Sequence, residues 1–142
     1  MAKILWALCC ENAIVDMGTN NLSLINIVEQ FNIPSVPIVV PQKYFVVSQW
    51  ERESPKSEEE NFQFKIIIRP ESKKADADKE GIFVDAKIIA GKGRLRHLCS
   101  LKGIPIAETG TLLVNILVPT GKGTSENWNE VANIPIEINL RT

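Results

Sequence analysis

Alternation of apolar and polar residues with a period of two is the feature of this sequence that most restricts its fold. It is clearest in Phe62–Arg69 and Ile134–Arg141, where every second residue is apolar. Side chains of a β-strand point alternately to its two faces, so this period predicts strands with one face in a core and the other in water. About eight or nine such segments follow at a spacing of about 10–15 residues, without an amphipathic helix longer than about two turns. The chain is therefore predicted to be all-β.

The N-terminal part of the chain is predicted to form a β-hairpin. Lys3–Cys10 is an almost continuous apolar run, which is typical of a strand covered on both faces, and Ala13–Val15 extends it. Met17–Asn21 supplies turn residues, and Leu22–Val28 returns as a second apolar run. The two adjacent cysteines that end the first run are expected on opposite faces of their strand.

Prolines and charges mark the segments between the strands. Three prolines fall in Asn32–Pro41. Because proline cannot donate to a ladder, we predict an irregular or edge segment there that protects one edge of a sheet, with brief pairing of Ile38-Val39-Val40 between the prolines. Arg52–Asn61 and Pro70–Glu80 are charged and polar, so both are predicted to be solvated connectors. On the strand between them, Lys65 and Arg69 are expected to face water.

Length and composition indicate a single β-sandwich covering residues 1–142. The chain has 142 residues and no convincing domain boundary. Alternation with one wet face favours antiparallel strands, so we predict a mainly antiparallel, two-sheet β-sandwich. A net charge of -1 argues against a nucleic-acid binder, and no apolar stretch is long enough for a membrane span. Three cysteines do not form a disulfide framework, which predicts reduced thiols and a cytoplasmic location.

His97 and Cys99 form the one pair whose spacing suits metal binding or catalysis. Residues two apart on a strand share a face, so the imidazole and the thiol can meet one metal ion or one substrate. A catalytic Cys–His pair also needs an oxyanion donor and a group that orients the base. For a metal site, the sequence offers no second pair of ligands. The alternative is a packed face formed by Leu95, His97, Cys99 and Leu101. We favour the packed face and predict no catalytic residue, no metal and no cofactor.

Two glycine-flanked lysines and a pair of aspartates are weaker candidates. Gly91-Lys92-Gly93 and Gly121-Lys122-Gly123 do not fit the phosphate-loop pattern or open a helix, so we interpret both as turns. Asp76 and Asp78 are spaced like calcium ligands, but the glycine position and flanking helices of an EF-hand are missing. A loose calcium site among the loops is the alternative.

Four residues are candidates for an interaction surface: Trp50, Arg94, Arg96 and Trp128. The two arginines belong to a short basic stripe on one strand, for which a solvated face is the alternative. Trp128 stands in a polar loop, where it is either a plug over the core or an anchor for a partner. Trp50, Trp128 and Tyr44 are also the aromatic residues with which a small ligand or carbohydrate can be held.

Several landmarks stand in a fixed order along the chain. An apolar strand ends in Cys10-Glu11-Asn12, and a turn leads into Asn21–Ile27. Near the end, Glu108–Thr111 precedes a strand and the closing Ile134–Ile138. Over nearly its whole length, the chain resembles a family of small uncharacterised bacterial proteins. The resemblance implies an immunoglobulin-like β-sandwich, and it implies no activity and no catalytic residue.

These observations favour a non-enzymatic binding or assembly module. Loops and edges of a rigid sandwich can vary without unfolding it, so an unidentified protein is the expected partner. A self-associating edge gives a symmetric homodimer, which is a second expectation. Nucleic acid and membranes are not expected as partners. The alternative function is a small-ligand or metal-binding protein, or an enzyme, centred on His97 and Cys99.

Overall fold

Two β-sheets pack face to face in the computed structural model, which describes residues 1–74, 81–120 and 128–141. This arrangement confirms the predicted all-β sandwich. None of the described residues lies in a helix that is long and apolar enough to cross a membrane. The described ranges contain nine strands: β1 (Lys3–Val15), β2 (Leu22–Ile27), β3 (Gln30–Ile33), β4 (Ile38–Glu51), β5 (Glu60–Pro70), β6 (Ile82–Ile88), β7 (Arg94–Ile106), β8 (Gly110–Pro119) and β9 (Trp128–Leu140).

The two sheets differ in the direction of one strand pair. The four-stranded sheet has the order β2-β1-β4-β7 and is antiparallel throughout. The five-stranded sheet has the order β3-β9-β8-β5-β6, and β3 runs parallel to β9 while its other pairs are antiparallel. The prediction of mainly antiparallel sheets is therefore confirmed, with β3 as the exception.

Aromatic side chains join the two sheets at the centre of the core. Trp50 of β4 is 0% exposed, and its ring stacks on Phe64 of β5 with 4.7 Å between the centroids. The ring of Phe62 lies 5.0 Å from the same indole. The indole Nε1 donates a 2.9 Å hydrogen bond to Oγ of Ser48, so the buried polar end of the tryptophan is satisfied. These contacts fix the distance between β4 and β5.

The proline segment is more regular than its sequence predicts. Edge strand β3 ends just before Pro34, as expected, but Ile38 already begins β4, which is a central strand between β1 and β7. The register of β4 against β7 shifts between Val40 and Lys43, where β4 carries one extra residue. Such a bulge interrupts the ladder and accommodates Pro41. The prediction of an irregular or edge segment is therefore confirmed for edge strand β3 and for the bends of residues 34–37, and the expected pairing of Ile38–Val40 is observed. It is wrong in that Ile38–Pro41 belong to a central strand and protect no edge.

The outer face of the five-stranded sheet is not the solvated surface that we expected. Lys65 points away from the core, yet it is only 9% exposed, and its Nζ lies 4.5 Å from the centroid of the Trp128 ring. Nε of Arg69 donates a 2.8 Å bond to Oδ1 of the buried Asn115, whose amide donates to the carboxylate of Glu130. The prediction that Lys65 faces water is wrong, because side chains from other strands cover this face.

One arginine fastens the connector between β4 and β5. The guanidinium of Arg52 donates to backbone carbonyl oxygens at 2.6–2.8 Å, those of Pro55, Glu58, Ile89 and Lys92. Two of these carbonyls belong to the connector and two to the turn between β6 and β7. Arg52 therefore ties two loops together at one end of the sandwich.

Glu60 strengthens the same end of the sandwich. Its carboxylate is buried and accepts the backbone N–H groups of Glu53 at 3.1 Å and of Ser54 at 2.7 Å. Burial alone raises the pKa of this carboxyl, but the donated hydrogen bonds outweigh burial and hold the pKa below its ordinary value. The expectation that the connector is solvated throughout is therefore wrong at Glu60.

We predict that Arg52→Ala lowers the free energy of unfolding by about 2–3 kcal/mol, because it removes several hydrogen bonds to a charged donor. Arg94→Ala is the matched control. Its side chain is mostly exposed and makes a single 3.8 Å ion pair with Glu51, so we expect a loss within about 0.5 kcal/mol. Urea unfolding followed by circular dichroism measures both. Equal losses for the two variants would contradict the role given to Arg52.

Candidate interaction surface

His97 and Cys99 lie on the inner face of β7. The imidazole of His97 meets the Phe64 ring edge-on, with 5.1 Å between the centroids, and its buried Nδ1 has no hydrogen-bond partner among the residues that the structure describes. Cys99 is a buried member of the core cluster, as is Leu101, and Leu95 packs against that cluster. The predicted packed face is confirmed.

The environment of this pair does not favour nucleophilic or metal chemistry. Burial raises the pKa of the Cys99 thiol and lowers the pKa of His97, so both groups are held in their neutral forms. Burial, together with the neighbouring Cys10, raises the pKa of Cys9 to about 12. No group of three or more His, Cys, Asp or Glu side chains suited to a metal ion occurs among the described residues.

The four candidate surface residues do not come together. Trp50 is fully buried, which excludes it from any surface. Arg94 is exposed and Arg96 half-buried at the start of β7, on the outer side of the four-stranded sheet. Trp128 begins β9 instead of standing in a loop, and its half-buried ring lies on the outer face of the five-stranded sheet, 6.2 Å from the Phe83 ring. It is therefore not a plug over the core between the sheets.

Two of the weaker candidates fall outside the described residues. Asp76 and Asp78 belong to residues 75–80, and Gly121-Lys122-Gly123 belongs to residues 121–127. Gly91-Lys92-Gly93 is described, and it forms the turn between β6 and β7, as predicted. Tyr44 is buried in the core, where burial, followed by the charge of Glu11, raises its pKa.

The hairpin formed by β1 and β2 is shaped by a turn with its own hydrogen bonds. The Asp16 carboxylate accepts the backbone N–H groups of Gly18 and Thr19, both at 2.8 Å. Asn20 adopts a φ of 61°, a left-handed conformation that asparagine tolerates better than most residues. The same backbone hydrogen bonds lower the pKa of Asp16, so the turn carries a negative charge.

The turn of the hairpin lies over the outer face of the four-stranded sheet. Nη2 of Arg96 on β7 donates a 3.0 Å hydrogen bond to the carbonyl oxygen of Asn20. Because β4 separates β1 from β7 in the sheet, the hairpin must cross β4 to reach this arginine. Cys9 and Val46 belong to the core between the sheets, so the next residues along their strands, Cys10 and Val47, point to the outer face. Cys10 and Val47 are nevertheless 0% exposed, which agrees with an outer face that is covered.

The hairpin exposes an unusual number of large apolar side chains. Met17 at the turn is 99% exposed, and four further apolar residues on the two strands are 40–49% exposed: Ile14, Val15, Ile25 and Ile27. Single exposed apolar residues are common on soluble proteins, but apolar residues gathered on one element mark a contact surface. We call these five residues the hairpin patch.

Strand β2 is also the least protected edge of the sandwich. Within the described part of the chain, β2 pairs only with β1. Its sequence, Leu-Ser-Leu-Ile-Asn-Ile, contains no charged residue and no proline. The other edges are short or carry the residues that discourage strand addition: β3 has four residues, β6 carries Asp85 and Lys87, and β7 carries Arg94, Arg96, Lys102 and Pro105.

The sequence predicts the hairpin, but its exposed apolar residues were not among the predicted candidates for an interaction surface. Alternation along the second strand puts Ile25 and Ile27 on one face, which agrees with their joint exposure. The signal that was available is the lack of any charged residue in Leu22–Val28, because a solvated edge strand normally carries charge. Comparison of the chain with protein-family models and with curated proteins finds no match.

We predict that the free energy of unfolding falls as the pH is lowered from about 7.5 to about 5.5. His97 is the single histidine of the chain, and its folded pKa lies below the ordinary 6.5. The unfolded state therefore binds more protons below pH 6.5, and stability is lost in that range. Urea titrations at three pH values measure the slope. His97→Leu removes the titrating group, so the free energy of unfolding of this variant should depend less on pH. An equally strong pH dependence in the variant would contradict the prediction.

We also predict that the three thiols react with iodoacetamide only after unfolding, because all three cysteines are buried. Ser100→Cys is the matched control, since Ser100 is exposed and adjoins Cys99 on the opposite face of β7. Mass spectrometry of the native protein should show one modification in that variant and none in the wild type. Rapid labelling of Cys99 in the native wild type would contradict its place in the core.

Proposed function

We propose that this protein is a non-enzymatic protein-binding module that receives an extended segment of a partner on the free edge of β2. The observation that carries the proposal is the coincidence of two features on one hairpin. The edge strand lacks charge and proline, and apolar side chains beside it stand in water. A partner strand added there would satisfy the free backbone groups of β2 and bury part of the hairpin patch.

The sandwich gives the docking strand a rigid support. The first part of β1 pairs with the central strand β4, and the second part of β1 pairs with β2. The hydrogen bond from Arg96 holds the turn of the hairpin against the sheet. A preorganised edge loses little conformational freedom on binding, which favours affinity.

Strand order supports an immunoglobulin-like arrangement as part of the same proposal. In the sheets, β4 lies beside β7, whereas β5 lies beside β8 and β9 follows β8. Consecutive strands β4 and β5 thus belong to different sheets, as in the Greek-key connections of immunoglobulin-like sandwiches. Domains of this architecture commonly act in recognition. The proposal also includes a cytoplasmic location and the resemblance to a bacterial family of such sandwiches.

The alternative of a metal, ligand or catalytic site at His97 and Cys99 has less support. Both side chains are directed into the core, and neither lines any of the five best-formed cavities among the described residues. A reacting pair needs room for a substrate within about 3 Å of its atoms.

We predict that Ile25→Lys weakens partner binding about tenfold or more, because a lysine on an edge strand opposes strand addition. Val39→Lys is the matched control. Val39 is an equally apolar residue that is 57% exposed on β4, away from the hairpin, so its replacement should leave binding unchanged.

The measurement begins with capture from an extract of the source cells, followed by titration of the purified partner. A partner retained by the wild type and Val39→Lys but lost by Ile25→Lys supports the proposal. Capture of every partner equally well by Ile25→Lys, or capture of none by the wild type, would contradict it.

A further inference from the structure

Charge is distributed very unevenly along the chain. Residues 4–42 contain no Lys, Arg or His, and all sixteen Lys and Arg residues lie at Lys3 or from Lys43 onward. The same stretch contains three acidic residues, Glu11, Asp16 and Glu29. The hairpin and the start of the segment that follows it therefore carry negative charge without a cation of their own.

The three carboxylates belong to the segments that adjoin β2. Asp16 lies in the turn that precedes the strand, and Glu29 follows two residues after its end. Glu11 lies on β1 and accepts a 3.0 Å hydrogen bond from the amide of Asn26 on β2. Each end of the docking strand thus has a carboxylate nearby, while the strand itself is uncharged.

The end of β2 adjoins a concave surface that two of these carboxylates share. A cavity of about 240 Å³ is lined by Glu11 and Glu29, together with residues 26–28 and 30, Phe31 and Tyr44. A side chain that projects from the end of an added strand would reach this concavity. Its acidic lining suits a positively charged group and opposes a carboxylate.

Self-pairing of β2 is disfavoured by the same charges. In a symmetric antiparallel pair, the beginning of one strand lies beside the end of the other. The Asp16 end of one copy would then face the Glu29 end of its partner, and like charges would meet at both ends. A strand with cations at its ends meets carboxylates instead. Arg96 already brings one cation to the turn, at the carbonyl of Asn20, and leaves the rest of the strand open.

We infer that the segment received by β2 is basic: an extended, apolar strand of another protein with Lys or Arg at its two ends. This inference rests on the proposed docking function of β2 and adds the chemistry of the partner. The apolar centre of that strand covers the hairpin patch, and its cations face the carboxylates. The charges steer and orient the partner, whereas backbone hydrogen bonds and apolar contact supply most of the affinity.

Two pools of nine-residue peptides test the inference. Both pools share a centre in which random apolar residues alternate with threonine, and the ends carry lysines in one pool and glutamates in the other. Fluorescence anisotropy measures binding, and hydrogen exchange measures protection of the β2 amides. We expect about fivefold to tenfold tighter binding of the lysine pool at low salt, with the difference shrinking as salt is added.

Paired variants show whether the carboxylates are responsible. Asp16→Asn keeps a side-chain acceptor for the turn, and combined with Glu29→Gln it should remove most of the preference for lysine ends. Asp85→Asn, on edge strand β6, is the matched control and should leave the preference intact.

Each outcome separates the inference from the proposed function. If both pools bind equally well and protect β2, the inference of a basic partner is wrong, and the proposed docking function is still supported. Failure of both pools to protect β2 overturns both. Protection of β2 without peptide, together with a doubled mass in light scattering, would identify a second copy as the occupant and overturn the inference.

Discussion

The contact between Trp50 and Phe64 is the interaction on which the rest of the structure depends. It joins the central strand of one sheet to an inner strand of the other, and the indole has no exposed surface. The Ser48 hydroxyl accepts the indole N–H, and His97 meets the far side of the same cluster. This cluster fills the middle of the core with large rings, and His97 packs against it.

Most of the strands could be predicted from the sequence, because alternation records directly which residues face the core. Phe62, Phe64 and Ile66 on β5, and Ile134 and Ile136 on β9, are buried as their period requires. The failures have local physical causes. A bulge absorbs Pro41 inside a central strand, and β3 pairs in parallel with the last strand of the chain, a long-range choice that no short window of sequence contains.

The candidate surface was harder to predict, because exposure depends on what lies above a sheet. Trp50 and Trp128 have the same side chain, yet one fills the core and the other lies across an outer face beside Lys65. Alternation gives the face of a residue but does not say whether that face is covered. The uncharged sequence of β2 was visible, whereas its place at an edge became known only from the strand order.

The bonds made by Arg52 have a consequence for the surface of the protein. The connector between β4 and β5 is rich in charge, and by composition it is the kind of segment that proteases cut. Proteases bind their substrates in an extended conformation, so a loop whose carbonyls are tied back to one guanidinium must first be released from it. We therefore expect Arg52, at the beginning of this charged loop, to slow its cleavage together with Glu60, which holds two of the loop's N–H groups.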